Sequence, residues 1–276
     1  MRTQSLFLVH AHPDDESIIT GGLILRARED GHRVVLVTCT RGEEGEVHNL
    51  DAAVRPRLAE VREAELRAAC AILGVDRLEL LGYRDSGMAG SPANDHPHSF
   101  HRAPLDEVTG RLVLLLWAER PDTVVTYGPD GTYGHPDHLK AHEATMAALD
   151  VLRREGWCPA RTLWDAVPRS AVERLDGPAH PAMRHVGTPD EEITVRVDLQ
   201  PVLPRKRAAV AAHVSQNPPD PMTALSGQIL AVMGGFEHYK EPPHEIRTPD
   251  HRDFVGTPAR RAAAGGSRPP ARIRRS

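Results

Sequence analysis

The chain has 276 residues, 40% hydrophobic and 26% charged, a globular balance that excludes a disordered or membrane-embedded protein and fits a single large core. Its formal net charge of -4 excludes a broad nucleic-acid face, because phosphate binding draws on a concentrated basic patch. Cys39, Cys70 and Cys158 are odd in number and widely spaced, which excludes a disulfide framework or thiolate zinc knuckle and predicts reduced, buried residues.

Met1 to Val9 carries only Arg2 and runs into His10 without a signal-peptide core or cleavage site, so cytoplasmic residence is expected. Ser5 to His10 has the length and branching of a buried strand, followed by a proline turn and a helix-forming run from near Ser17. Arg33 to Thr40, with Val34, Val35, Leu36 and Val37, reads as a parallel strand covered on both faces, ending at the glycine-bearing loop Gly42 to Glu46. Between Leu58 and Leu73 the apolar residues Leu58, Val61, Leu66, Ala69, Ile72 and Leu73 keep close to a helical period, and Gly74 supplies a stop. A short strand follows at Leu78 to Leu81, then a helix at Val108 to Glu119 and a strand at Thr123 to Tyr127. The alternation predicts an α/β fold, a Rossmann-like three-layer α/β/α sandwich with a mostly parallel sheet, whose ligands sit beyond the carboxyl ends of the strands. The longest apolar run, Leu112 to Ala118, is a buried helix face and far too short to span about 30 Å of bilayer, so no membrane partner is expected.

A further helix is expected from near His138 to about Gly156, a strand at Ile193 to Leu199, and helices at Val202 to His213 and Ala224 to Phe236, with Pro218, Pro219 and Pro221 forcing an irregular link. Ser91 to His101, with three histidines among Pro92, Asn94, Asp95 and Pro97, reads as a surface insertion or substrate-side loop. Arg260, Arg261, Arg268, Arg272, Arg274 and Arg275 stand among Gly, Ala, Ser and Pro, the composition of a tail. The expected organisation is one domain over residues 1–250 and a basic tail over 251–276.

Chemistry concentrates in two places. His10-Ala11-His12-Pro13-Asp14-Asp15-Glu16 crowds imidazoles and carboxylates directly after a hydrophobic strand, and Tyr133-Gly134-His135-Pro136-Asp137-His138 does so after Thr123 to Tyr127. Burying so many polar groups is costly unless a cation or hydrogen-bond network compensates them. Together the clusters offer two histidines and a carboxylate, a donor set for Zn²⁺ that leaves a coordination position for water. A single histidine in a loop is ordinarily a solvated residue; the paired pattern is what points to a metal. Pro13 can bend the first segment so that His12 and Asp15 approach one ion while Asp14 stays free to accept a proton. A serine nucleophile elbow is absent, and so is a dinucleotide fingerprint around Gly21 and Gly22, where Asp14 and Asp15 would in any case repel a pyrophosphate. Gly42 and Gly45 would let their loop pass near a substrate, with Glu43 or Glu46 facing it.

These segments resemble the LmbE-like, or PIG-L-like, family of N-acetylglucosaminyl deacetylases, especially its mycothiol-pathway branch of N-acetylglucosaminylinositol deacetylase and mycothiol S-conjugate amidase. The likeness lies in Ala11 to Glu16, Thr38 to Glu46, Tyr83-Arg84-Asp85-Ser86-Gly87-Met88, Gly134 to His138, and Ala212-His213-Val214-Ser215-Gln216. The resemblance implies a metal-dependent amidohydrolase in which His12, Asp15 and His138 ligate Zn²⁺, with Fe²⁺ or another divalent transition metal as alternatives. It further implies Asp14 as general base, His135 as oxyanion stabiliser and acid oriented by Asp137, and Tyr133 as a mobile tyrosine polarising the carbonyl. Arg62, Asp85, Met88, Glu46 and His213 would meet the substrate, a small amino-sugar glycoside. A mycothiol-conjugate amidase, a deacetylase of an antibiotic or other small glycoside, and a non-catalytic metal-dependent carbohydrate-binding protein stay open, as does a homo-oligomeric assembly.

Overall fold

The computed structural model describes residues 3–174, 187–217, 233, 235–243 and 257–258. In chain order its strands and helices are β1 Ser5–His10, α1 Asp15–Ile18, α2 Gly21–Glu29, β2 Arg33–Thr40, α3 Leu58–Leu73, β3 Arg77–Tyr83, α4 Leu105–Glu119 and β4 Thr123–Thr126. There follow α5 Gly131–Gly134, α6 Pro136–Arg154, β5 Arg161–Asp165, α7 Arg169–Val172, β6 Val195–Asp198, α8 Leu203–Ala212, β7 Phe236–Lys240 and β8 Thr257–Pro258.

The central strands read as unbroken apolar runs because both of their faces are covered. Along β1, Leu6 and Leu8 join one core with Leu23, Ile24, Leu66, Leu73 and Ala209 from α2, α3 and α8. Phe7 and Val9, pointing the other way, join a second core with Val108, Leu112, Leu116, Ala141 and Ala148 from α4 and α6. The two-residue alternation of strand side chains thus splits one hydrophobic run between two cores, giving the three-layer sandwich expected from the β/α alternation.

The sheet order is β3-β2-β1-β4-β5-β7-β6-β8. Strands β1 to β5 pair in parallel, with Val9 opposite Val37 on one side of β1 and Leu8 opposite Val125 on the other. The remaining pairings, β5 with β7 and β6 with β7 and β8, are antiparallel. The chain winds outward from β1 through β2 to β3 and then returns to place β4 on the opposite flank of β1. That reversal opens a crevice beyond the carboxyl ends of β1 and β4, where open α/β sheets bind ligands. The segments His12–Glu16 and Tyr133–His138 leave those two strands.

Several expected boundaries shift. The helix anticipated from His138 begins at Pro136, whose fixed φ and missing N–H suit a first turn. Gly74 terminates α3 in the left-handed region at φ 82°, donating its N–H to the Cys70 carbonyl, as its place after the last periodic residue suggests. The strand at Leu78 to Leu81 extends to Arg77–Tyr83 by pairing with β2. Phe236, expected to end a helix, instead opens β7, whose Glu237, His238 and Tyr239 are buried; residues 224–232 of that expected helix, the Pro218 to Pro221 link and the arginine-rich stretch from Arg260 lie outside the described residues, whereas Thr257–Pro258, inside the stretch expected to be tail, pair with β6. Cys39 and Cys70 are free and buried, whereas Cys158 is only half-buried. Among the described residues, no helix is long and apolar enough to cross a membrane.

Candidate active site

The segment after β1 turns sharply at Asp14, a non-glycine residue at φ 125°. Such a conformation costs about 1–3 kcal/mol and persists only where its surroundings over-determine it. Here they do. Asp14 N–H donates to Glu16 Oε2 at 2.9 Å, and the buried Glu16 is itself held by His213 Nε2 at 2.8 Å and by the Ser17 hydroxyl. Arg62, 3% exposed on α3, donates to the carbonyls of Pro13 and Gly42 and to Asp14 Oδ2 at 3.1 Å. Arg62 and His213, expected to meet substrate, therefore brace the β1 segment from inside. Gly42 and Gly45 have a related reason: a Cβ at either would come within 2.4 Å of the Arg62 guanidinium, so these glycines make room for the arginine.

Three donor groups converge at the crevice. His12 Nδ1 and His138 Nε2 are 3.3 Å apart, His12 Nδ1 is 3.4 Å from Asp15 Oδ2, and His138 Nε2 is 3.6 Å from Asp15 Oδ1. A tetrahedral ion with arms of 2.0–2.1 Å separates its donors by roughly 3.3–3.4 Å. The opposite ring nitrogens are occupied: His12 Nε2 donates to Asp137 Oδ2 at 3.2 Å, and His138 Nδ1 to the Gly131 carbonyl at 3.2 Å. Those partners would set each ring, when its crevice-facing nitrogen is deprotonated, to the tautomer whose lone pair faces the crevice, the arrangement found behind metal-binding histidines. Donor atoms of His12, His135 and His138, and of His12, Asp85 and Asp137, also lie within 4.8 Å of one another. In the second group, however, the acids meet His12 through Nε2, with Asp85 Oδ1 at 3.6 Å, on the far side of the ring from the converging lone pairs. In the first, His135 uses Nδ1 as an acceptor, so its Nε2 carries the proton rather than a free lone pair.

His135 is the N-cap of α6, its Nδ1 accepting the Asp137 N–H at 3.1 Å. The remaining nitrogen, Nε2, then carries the proton. Burial, followed by the charges of His12 and His138, pushes His135 down to about 3, so it stands as a neutral donor. Asp137 was expected to orient His135, but only its backbone does so; its carboxylate accepts from His12 and from the Ser86 N–H and hydroxyl. Ser86 is fully buried and also accepts the His101 N–H at 3.0 Å, tying the Ser91 to His101 loop to the crevice.

The electrostatics separate the two adjacent aspartates. Burial resists ionisation of Asp15, but His138 and the contacts with His12 overcome it and hold the carboxyl well below the usual range. Burial raises Asp14 to about 6, Arg62 opposing and Asp15 adding to the rise. Burial likewise disfavours charge on His12, yet Asp85, Asp137 and Asp15 together raise it well above an ordinary histidine, which marks a site built to hold positive charge. Burial followed by Asp15, Asp14 and Asp85 keeps the Tyr133 hydroxyl protonated. The Tyr133 ring meets His138 edge-on at 4.9 Å.

Tyr127, just past β4, was absent from the sequence-derived site. Its hydroxyl donates to Asp15 Oδ2 at 2.6 Å and accepts the Ala11 N–H at 2.7 Å, while its ring stacks on His138 at 4.0 Å. A polar-tipped aromatic at the mouth of a buried strand, one turn before the second motif, was the available signal. Of the remaining expected contacts, Asp85 is 3% exposed and accepts the Gly87 N–H, Met88 is 39% exposed, and Glu46 stands exposed beside His48. Burial opposes ionisation of Asp85, but His12 and the Gly87 N–H lower it.

The family profile for GlcNAc-PI de-N-acetylase (PIG-L) matches residues 7–149. A 1D-myo-inositol 2-acetamido-2-deoxy-alpha-D-glucopyranoside deacetylase of Salinispora arenicola is 41% identical over 256 residues, 85% of this chain and 83% of the relative. Among solved structures, N,N'-diacetylchitobiose deacetylase from Pyrococcus horikoshii aligns with a TM-score of 0.60 at 23% identity, over 87% of this chain and 84% of its own. The 4-carboxy-2-hydroxymuconate hydratase GalB from Pseudomonas putida KT2440 also aligns at 0.60, with 18% identity over 91% of this chain and 100% of its own. The fold is therefore shared by proteins whose names describe different reactions.

Proposed function

Because the chain belongs to the GlcNAc-PI de-N-acetylase (PIG-L) family, we propose that it hydrolyses the N-acetyl amide of an N-acetylglucosaminyl glycoside, with an inositol-linked glycoside as leading substrate. The observation that carries this reading is the convergence of lone pairs from His12, Asp15 and His138 beside a second aspartate, Asp14, that stands apart from them. Those three residues would hold a divalent ion. Two imidazoles and a carboxylate suit Zn²⁺, with Fe²⁺ or another divalent transition ion as the alternative.

A bound ion of this kind supplies Lewis acidity towards water and the amide carbonyl. Asp14 takes the proton of the attacking water; at about 6, its carboxylate is ionised near neutral pH while remaining basic enough to accept one. His135 offers its Nε2–H to the carbonyl oxygen as negative charge develops there, and the Tyr133 hydroxyl supports the same oxygen. Since His135 is neutral, the proton collected by Asp14 passes to the departing nitrogen. Hydroxide ends on the acyl carbon and the proton on the amine, releasing acetate and a free amino sugar. Met88 and Glu46, both exposed, would meet the sugar together with Arg62, Asp85 and His213. One catalytic domain over about residues 1–250, acting on a small molecule in the cytoplasm, completes the proposal.

The test is release of acetate and free amine by the metal-loaded protein from N-acetylglucosaminylinositol and from a mycothiol S-conjugate, with and without a chelator. Chelator-sensitive turnover of the first is expected. Exclusive turnover of the conjugate would reject the leading substrate, and metal-dependent sugar binding without product would make the chain a carbohydrate-binding protein instead.

A further inference from the structure

We propose that Asp165 is a positioning residue for Tyr133, acting through the Thr132 hydroxyl. Asp165 closes β5, the strand beside β4, and is 7% exposed. Its Oδ2 accepts the Thr132 hydroxyl at 2.6 Å and its Oδ1 accepts the Gly128 N–H at 3.1 Å. One carboxylate thereby ties down both the start and the end of the turn that leads from β4 to Tyr133.

That turn needs a restraint. Thr132 sits at φ 65°, ψ -53°, and Tyr133 follows at φ -140°, ψ 17°, so neither keeps helical angles inside α5. Positive φ in a β-branched residue is a genuine outlier, and it relaxes unless neighbouring contacts over-determine it. Two contacts do so here: the Thr132 N–H donates to Asp130 Oδ1 at 3.2 Å and its hydroxyl donates to Asp165. The second is the short one, a hydroxyl 2.6 Å from the buried Asp165 carboxyl, which burial raises to about 7 and the Thr132 hydroxyl pulls back down. With that bond removed, Thr132 returns towards negative φ, and the peptide carrying Tyr133 turns its ring away from His138, against which it now stands at 4.9 Å.

The effect on rate rests on the reading of Tyr133 as a donor to the amide oxygen; the placement of Tyr133 does not. The test separates the two. Metal-loaded full-length protein and its Asp165→Ala, Thr132→Ala and Thr132→Ser variants are treated with tetranitromethane, and nitration at Tyr133 is followed by peptide mass spectrometry with Tyr83 as internal reference. Nitration of Tyr133 is expected to quicken several-fold in the two alanine variants and to match the parent in Thr132→Ser, which keeps the hydroxyl. If Asp165→Ala does not fold, the Thr132 pair carries the test. Turnover is expected to fall roughly tenfold in kcat with KM and metal content unchanged, and to fall less than about twofold further when the same changes are made with Tyr133→Phe, the non-additivity of residues acting through one another. Unchanged nitration in the alanine variants, loss of metal in step with rate, or equal losses in both backgrounds would overturn the proposal. A parent that releases no acetate would sink the functional reading while leaving the nitration result to decide the placement.

Discussion

The two strand ends that form the crevice are built in opposite ways. The segment after β1 is held by buried side chains: Arg62 reaches in from α3, His213 braces Glu16, and Tyr127 grips Asp15. The segment after β4 is held mostly by bonds within its own stretch of chain, with His135 capping α6 and the Gly131 carbonyl receiving His138, and from outside by Asp165 of β5 at Gly128 and Thr132. The first is a rigid seat for charge, supplying two of the three converging donors and the adjacent Asp14 carboxylate, which is held by Arg62. The second brings one donor on a helix N-terminus and leaves Tyr133 on a strained turn. One crevice thus combines a fixed charge constellation with a neutral wall of hydrogen-bond donors.

The comparison breaks most severely at Asp15. Asp15→Ala removes an anionic donor between His12 and His138, and metal stoichiometry and hydrolysis should collapse together, by about 10³-fold or more in rate. Its neighbour should behave otherwise. Asp14→Asn retains the metal and the fold but slows kcat/KM by about 10²-fold or more, the range for a lost general base. The parent's rate should rise with pH as Asp14 ionises, with a limb at or below about 6, because the base acts deprotonated and a bound cation stabilises the anion further. That limb should disappear in Asp14→Asn, and equal metal loss in both aspartate variants would erase the distinction between seat and base.

On the opposite wall, His135→Asn keeps a side chain able to cap α6 while deleting the Nε2–H, so the rate should fall by about 10²-fold at unchanged melting temperature and metal content. His135→Ala should show the same rate loss plus about 1 kcal/mol of destabilisation from the lost cap, seen as a lower Tm. Equal melting temperatures for the two would show that the cap carries no weight. Tyr127→Phe tests the grip on Asp15 more gently: metal affinity, measured by competition with a chelator, should weaken about 10- to 100-fold. The smallest effect is expected at the arginine-rich end. Truncation after Pro258 removes the arginine-rich end, and the metal-dependent rate constant should not change.

The alternation of apolar runs with amphipathic helices was sufficient to derive β1 to β4 from the amino-acid order, because a strand buried on both faces must be continuously apolar and a crossover helix must show its period; the fifth parallel strand, β5, was not expected and forms by pairing with β4. It also made the two clusters that could hold a metal legible, since His and Asp packed around a proline directly after a buried strand is a local pattern. Strand β7 was not legible: Phe236–Lys240 contains Glu237 and Lys240, and it becomes a strand by pairing with β5 and β6. The partners of Arg62 and His213 were hidden for the same reason. A charged residue on a helix looks solvent-facing until tertiary packing sets it 48 residues away from Asp14 in sequence and 3.1 Å away in space. Tyr127 and Asp165 each need two strands to be side by side before their hydrogen bonds exist. Local order therefore determined which groups could do chemistry, because strand and helix patterns and motif spacing are properties of adjacent residues. Only the closed fold decided which nitrogen of each histidine faces the crevice, which aspartate is held ionised and which is raised, because those depend on burial and on charges brought together from distant parts of the chain.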